Sequence, residues 1–298
     1  MRGIFGRTLI GAFVAMVLMA PSLAGAEDLI PAKRLAISNN TDLPGGDITS
    51  IFDTTLEACE RACLTNNKCQ AFTFNTRNGS CFPKSKLGAA ASFDGAISGQ
   101  VFKADAGAQD RAKTRRAELT FVQDWELGSV LDQANQIGNF HNANGYSAED
   151  NLAAARDAEA NGNLEWAFGY TGAAVSMTDA AADWAEYARL LLAASNANAN
   201  QQGNYRDRAY YASVNAYLRA DNKALQHNIL LTMGDALEQS GRGRDKVQAL
   251  RLAQDLQPRD DTAAALEDAI GKYGFRITEN TVQTDTARPR ICVTFSES

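Results

Sequence analysis

Thr54-Thr-Leu-Glu-Ala-Cys59-Glu-Arg-Ala-Cys63-Leu-Thr-Asn-Asn-Lys-Cys69-Gln-Ala-Phe-Thr-Phe-Asn-Thr-Arg-Asn-Gly-Ser-Cys81-Phe-Pro-Lys84 holds four of the five cysteines of this 298-residue chain. A hydroxyl three residues ahead of a carboxylate, Thr54 and Glu57, is a capping-box pattern and predicts a short helix. Within it Leu56, Cys59 and Cys63 recur at helical spacing, so both thiols share one face. Asn66-Asn67 supplies the turn that ends the helix. Gln70, Phe72 and Phe74 then alternate with Ala71, Thr73 and Asn75 as a half-buried strand. Asn78-Gly79 predicts a two-residue hairpin turn into a second strand bearing Cys81 and Phe82. Two nested bridges, Cys63 to Cys69 and Cys59 to Cys81, suit this order of helix, strand, turn and strand. Four cysteines allow three connectivities, and sequence alone does not choose among them.

The cluster lies behind a segment built like an export signal. Arg2 and Arg7 form a basic start, residues 9–20 an apolar run, and Ala24-Gly25-Ala26 a small-residue cleavage site, so residues 1–26 read as a signal peptide. The run is shorter than the roughly 20 apolar residues that span a bilayer, and no later segment crosses a membrane. A periplasmic or secreted chain is therefore expected, in a compartment that oxidises thiols. Oxidation, and a Cys-x3-Cys spacing without paired knuckles, disfavours zinc at the four thiols. The absence of Cys-x-x-Cys disfavours thiol catalysis.

The precursor carries 29 Lys+Arg against 35 Asp+Glu, a net −6; loss of Arg2 and Arg7 leaves 27 against 35, or −8. An acidic chain without a basic stripe is no nucleic-acid binder. The common hydrolase, zinc-protease and phosphate-loop signatures are absent, and the only histidines, His141 and His227, stand in no ligand pattern. No catalytic residue, metal or cofactor is expected, and the protein is not read as an enzyme.

The segment Asp42-Leu-Pro-Gly-Gly-Asp47, the helix Cys59-Glu-Arg-Ala-Cys63, the strand Cys69-Gln-Ala-Phe-Thr-Phe74 and the motif Cys81-Phe-Pro-Lys84 resemble a PAN/apple domain over residues 29–103. The resemblance implies a curled antiparallel sheet cradling one helix, with bridges Cys59–Cys81 and Cys63–Cys69. It also implies binding of a protein or a carbohydrate, without catalysis. Residues 104–116 are polar and charged, with no apolar periodicity, and read as a linker.

Over residues 117–273 the pattern becomes helical. Leu164, Ala167, Phe168, Thr171 and Val175 mark one face; Ala181, Trp184, Ala185, Ala188 and Leu192 the next; Leu225, Ile229, Met233, Ala236 and Leu237 another. Gly162-Asn163, Gly203-Asn204 and Gly241-Arg242 each precede a new helix, at separations near those of helix-hairpin repeats. The run Ala249-Leu-Arg-Leu-Ala-Gln-Asp-Leu-Gln-Pro258 is similar to part of a tetratricopeptide repeat. Such an array is a partner surface or a spacer. Trp125, Trp166, Trp184, Tyr210, Tyr211 and Tyr217 are expected in its core.

After Gly274, Phe275-Arg-Ile277, Val282 and Ile291-Cys-Val-Thr-Phe295 alternate as strands, with Cys292 an expected free thiol. This stretch, residues 274–298, resembles the start of the first macroglobulin-like domain of bacterial alpha-2-macroglobulin family proteins, some of which carry a signal, a PAN/apple domain and a helical stretch before it. The resemblance implies the N-terminal portion of a protease-trapping endopeptidase inhibitor, truncated within a β domain. None of the five cysteines begins the Cys-x-x-Gln thioester motif. The sequence thus predicts a small disulfide-bonded α+β module, an all-α region of tetratricopeptide-like hairpins and a short β fragment, with an independent exported binding protein as the other reading.

Overall fold

The computed structural model describes residues 28–275, 277–284, 288 and 290–295. The expected signal peptide lies outside them. Strand β1 (Lys33–Asp42), helix α1 (Leu56–Thr65), β2 (Ala71–Asn75), β3 (Ser80–Lys84) and β4 (Ala91–Lys103) build an antiparallel sheet in the order β1-β4-β2-β3. The N-cap of α1 is Thr55, one residue later than the capping-box reading; its side chain accepts from the Ala58 amide at 3.3 Å. The β2–β3 turn is also longer than expected. Asn75 pairs with Ser80 across four residues, and Gly79 takes the left-handed conformation at φ 63°.

One sheet face carries Leu35, Ile37, Phe72, Phe74 and Cys81, which close over Cys59 and Cys63 of α1 in a small core. The disulfides Cys59–Cys81 and Cys63–Cys69 tie that helix to the sheet. Cys59, Cys63 and Cys81 are fully buried.

Helices α2 (Ala108–Glu118), α3 (Asp124–Phe140), α4 (Ala148–Ala160), α5 (Leu164–Thr178), α6 (Ala181–Ala197), α7 (Gln202–Arg219), α8 (Lys223–Gln239), α9 (Gly243–Leu256) and α10 (Asp260–Tyr273) follow, successive members packing from α4 onward. Trp184, Tyr187, Leu190, Leu191, Tyr217, Leu218 and Leu230 fill their core. Trp125 and Trp166, expected inside, are instead exposed at 74% and 59%. Trp166 sits two positions before Phe168, which places it on the opposite side of α5. Gly203-Asn204 lies inside the first turn of α7 rather than ahead of it.

His141 is buried, its Nε2 lying 2.7 Å from the Tyr187 hydroxyl. Burial, then the nearby Arg208 guanidinium, lowers its pKa to about 3, so the ring is neutral. His227 is enclosed between the Ala253 carbonyl, 3.0 Å from Nδ1, and the Thr262 hydroxyl, 3.0 Å from Nε2.

Residues 104–116 are no linker: most of them form α2, whose buried Ala108 and Ala112 dock against the helical array. Ile30 also belongs to the helical core, and Gln109 Nε2 donates to its carbonyl at 2.5 Å. The free edge of β1, a row of backbone groups that must be covered or hydrated, is covered by α3 and the loop after it. A Cβ at Gly138 would collide with the Leu35 carbonyl, so glycine permits this approach. The Ala143 amide donates to the Ile37 carbonyl at 2.7 Å and the Asn39 amide to Asn142 Oδ1 at 3.2 Å.

Arg34 passes from β1 into the helical region. Its Nη1 meets Asp179 Oδ2 at 3.0 Å, while Nε and Nη2 donate to the carbonyls of Ser176 and Met177. Asp179, at the C-cap of α5 in the left-handed region (φ 53°), also accepts from Arg219 Nε at 2.7 Å and Trp184 Nε1 at 2.9 Å.

Beyond α10, β5 (Ile277–Gln283) and β6 (Arg290–Phe295) form a separate two-stranded sheet. Phe275, Ile277, Val282, Ile291 and Val293 are exposed, and so is the free thiol Cys292.

Breaking a buried ion pair by removing one partner costs about 3 to 5 kcal/mol. Asp179→Asn, which takes from two enclosed guanidiniums the carboxylate they both bond, should lower unfolding free energy in urea by that amount. A loss below about 1 kcal/mol would show that the pair carries little of the joint.

Candidate functional site

The sheet face away from α1 is polar. Thr73, Asn75, Phe82, Lys84 and Ala96 fall on it by strand alternation and register. At the β2–β3 end it opens into a cavity of about 310 Å³, walled by Thr73, Phe82, Lys84 and Phe93 and by the Asp42–Asp47 loop. At the middle of β1 the same face is covered by the loop containing Ala143, Gly145 and Tyr146 and by Met177 of α5.

The loop wall is held by backbone geometry. Gly45 and Gly46 are both left-handed, at φ 80° and 75°, which a residue with a Cβ adopts only with strain. The Ile48 amide donates to the Pro83 carbonyl and the Ser85 amide to the Gly46 carbonyl, each at 2.8 Å. Below, the Leu43 amide donates to Thr73 Oγ1 at 3.2 Å, Thr73 and Ser98 share a hydroxyl bond of 2.9 Å, and Ser98 Oγ donates to the Thr41 carbonyl at 2.7 Å. These bonds satisfy the buried hydroxyls and fix the loop to the sheet.

Chemically the cavity joins flat apolar surface to fixed charge. Phe93 is 45% exposed, with the Arg77 guanidinium 5.9 Å from its ring centre. The Lys84 side chain is buried; its Nζ meets Asp47 Oδ1 at 2.6 Å and lies 6.0 Å from the Phe82 ring centre. Asp42 is the second carboxylate in the wall. Such a site can stack an apolar ring face and accept hydroxyl or amide protons, but it contains no nucleophile paired with a base. Among the described residues no group of three or more His, Cys, Asp or Glu side chains is arranged to hold a metal.

The bridged cysteines lie beneath this cavity, on the opposite sheet face, where they hold α1 and so shape its floor without touching a ligand. Cys292 lies apart, on β6. In the sequence the Asp42–Asp47 and Cys81–Lys84 motifs mark the family resemblance and one bridge but no ligand contact, and nothing there singles out Phe93. Phe93 comes from β4 and Phe82 from β3, and only the folded sheet brings the two to one cavity.

A family model described as PAN domain matches residues 41–84. These residues form a PAN domain. The match contains Asp42, Asp47, Thr73, Phe82 and Lys84 of the cavity and all four bridged cysteines, whereas Phe93 follows it on β4. No curated protein matches the chain.

The PAN core is small and depends on its bridges. Cys59→Ser should destabilise the chain by about 2 to 5 kcal/mol, read from chemical denaturation. An unchanged midpoint would mean that α1 is held by packing alone.

Proposed function

We propose that this protein is a non-catalytic, exported binding protein whose PAN domain holds a carbohydrate against Phe93. The observation that carries the reading is the open cavity itself, in which a half-exposed ring is bordered by the carboxylates Asp42 and Asp47, the second held by Lys84. A saccharide presents an apolar C–H face to such a ring and hydroxyl donors to such carboxylates. Few polar groups precisely held in an otherwise apolar pocket are the usual basis of small-ligand recognition. Protein binding is the other activity of PAN domains and requires no enclosed cavity.

Export is supported by the two disulfides of a small core, which persist in oxidising compartments, and by the signal-like residues 1–26. No described helix is long and apolar enough to cross a membrane. The helical region serves as a rigid platform for the PAN domain, since β1 is built into it. A tetratricopeptide-like ancestry of α4 to α10 accords with the packing of successive helices.

The wider setting we infer is that of an alpha-2-macroglobulin-like protease trap, to which this region contributes recognition and no inhibitory chemistry. The feature that supports this setting is the separate β5–β6 sheet with Ile291 and Val293 in solvent, since a two-stranded sheet is marginal alone and gains stability from further strands.

Glycan-array screening of the full chain should give saccharide binding, and Phe93→Ala should weaken it about tenfold, or about 1.4 kcal/mol. Binding indifferent to Phe93→Ala, or confined to protein ligands, would overturn the carbohydrate reading.

A further inference from the structure

A second cavity, of about 380 Å³, opens where the PAN sheet meets the helices, and its wall includes Arg34 of β1 and Arg111 of α2 together with Arg219 of α7. Arg34 is 3% and Arg219 7% exposed, and they share one carboxylate, Asp179. Lys103 adds a fourth cation to the wall, against Asp105 and Asp221. With Asp179 included, the formal balance is four positive groups to three negative. Two buried guanidinium donors in this wall, Nε of Arg111 and Nη2 of Arg219, have no hydrogen-bond partner among the described residues. An unmatched buried donor on a charged group costs more than a neutral one, so these atoms mark a place where an acceptor is wanted.

Backbone donors converge on the same space. Helix α6 starts here with no side-chain cap, and Ala181 and Ala182 of its first turn line the cavity. Helix α2 also starts here, at Ala108, whose own amide donates to the Asp105 carbonyl at 3.1 Å, so α2 contributes its dipole rather than a free donor. The first-turn amides of α6 and the positive end of each helix dipole favour an anion. The arginines supply planar, permanently charged donors suited to carboxylate, sulfate or phosphate oxygens.

We propose that this junction cavity is a binding site for a small oxyanion, free or borne as the acidic group of a larger ligand, and that the bound anion clamps the PAN domain to the helical region. The site is separate from the Phe93 cavity and its existence does not depend on what that cavity binds. Arg111 and the exposed Lys103 are suited to mutation, because both line the cavity and neither takes part in the Asp179 ion pairs.

The test is thermal unfolding and titration calorimetry of the full chain at constant ionic strength, with sodium phosphate, sulfate or glucuronate replacing chloride. A saturable rise in Tm with at least one of them is expected. Response to phosphate or sulfate identifies a free tetrahedral anion, whereas response to glucuronate alone identifies a carboxylate on a larger ligand. Arg111→Ala should weaken the binding about tenfold while leaving the anion-free Tm within a few degrees, and Asp221→Asn should strengthen it. The proposal is overturned if none of the three anions exceeds chloride, or if Arg111→Ala and Lys103→Ala both bind as the parent does.

Discussion

Asp179 is the point through which the two halves of the molecule are joined. One carboxylate, held in a left-handed C-cap conformation, accepts from Arg34 of the sheet, from Arg219 of α7 and from the Trp184 indole. Burial lowers the pKa of both arginines, and the Asp179 charge is the main effect opposing it. Enclosing two guanidiniums is costly unless they are paired and hydrogen-bonded, so this arrangement tolerates little displacement of β1 relative to α5. The covering of the β1 edge by α3, and the bonding of Leu29 and Ile30 to Gln109 of α2, accord with that placement.

A rigid joint changes what the PAN domain can do. A binding module on a flexible linker samples many orientations, and its partner has to fix one of them at an entropic cost. Here the open cavity at Phe93 has a set direction relative to the helices, because the sheet face that carries it is also the face that docks on Met177 and Tyr146. The helical array therefore sets the orientation of the PAN domain rather than tethering it loosely. The exposed β5–β6 sheet is the one described part without a place in that body.

The local elements of the PAN domain were legible in the sequence, because a helix face, a strand alternation and a turn are each written within ten residues of one another. The buried faces of α5, α6 and α8 were legible for the same reason. The joint was not. Arg34 and Asp179 are 145 residues apart, and each reads as an ordinary surface charge until the fold places them together. Residues 104–116 passed for a linker because the contact face of α2 is made of alanines, Ala108 and Ala112, which give almost no apolar signal among so many charges. Phe93 gave no signal because its meaning lies in the fold, which brings this end of β4 to the cavity beside Phe82 and the Asp42–Asp47 loop, and the exposure of Trp125 and Trp166 gave none because aromatic character alone outweighs position on the helix.

Scanning calorimetry of the full chain tests the joint most directly. If the PAN domain and helices form one cooperative body, they should melt in a single transition whose calorimetric and van't Hoff enthalpies agree. Two resolved transitions, one of them abolished by reducing the disulfides, would show that the PAN domain unfolds on its own and would contradict the account.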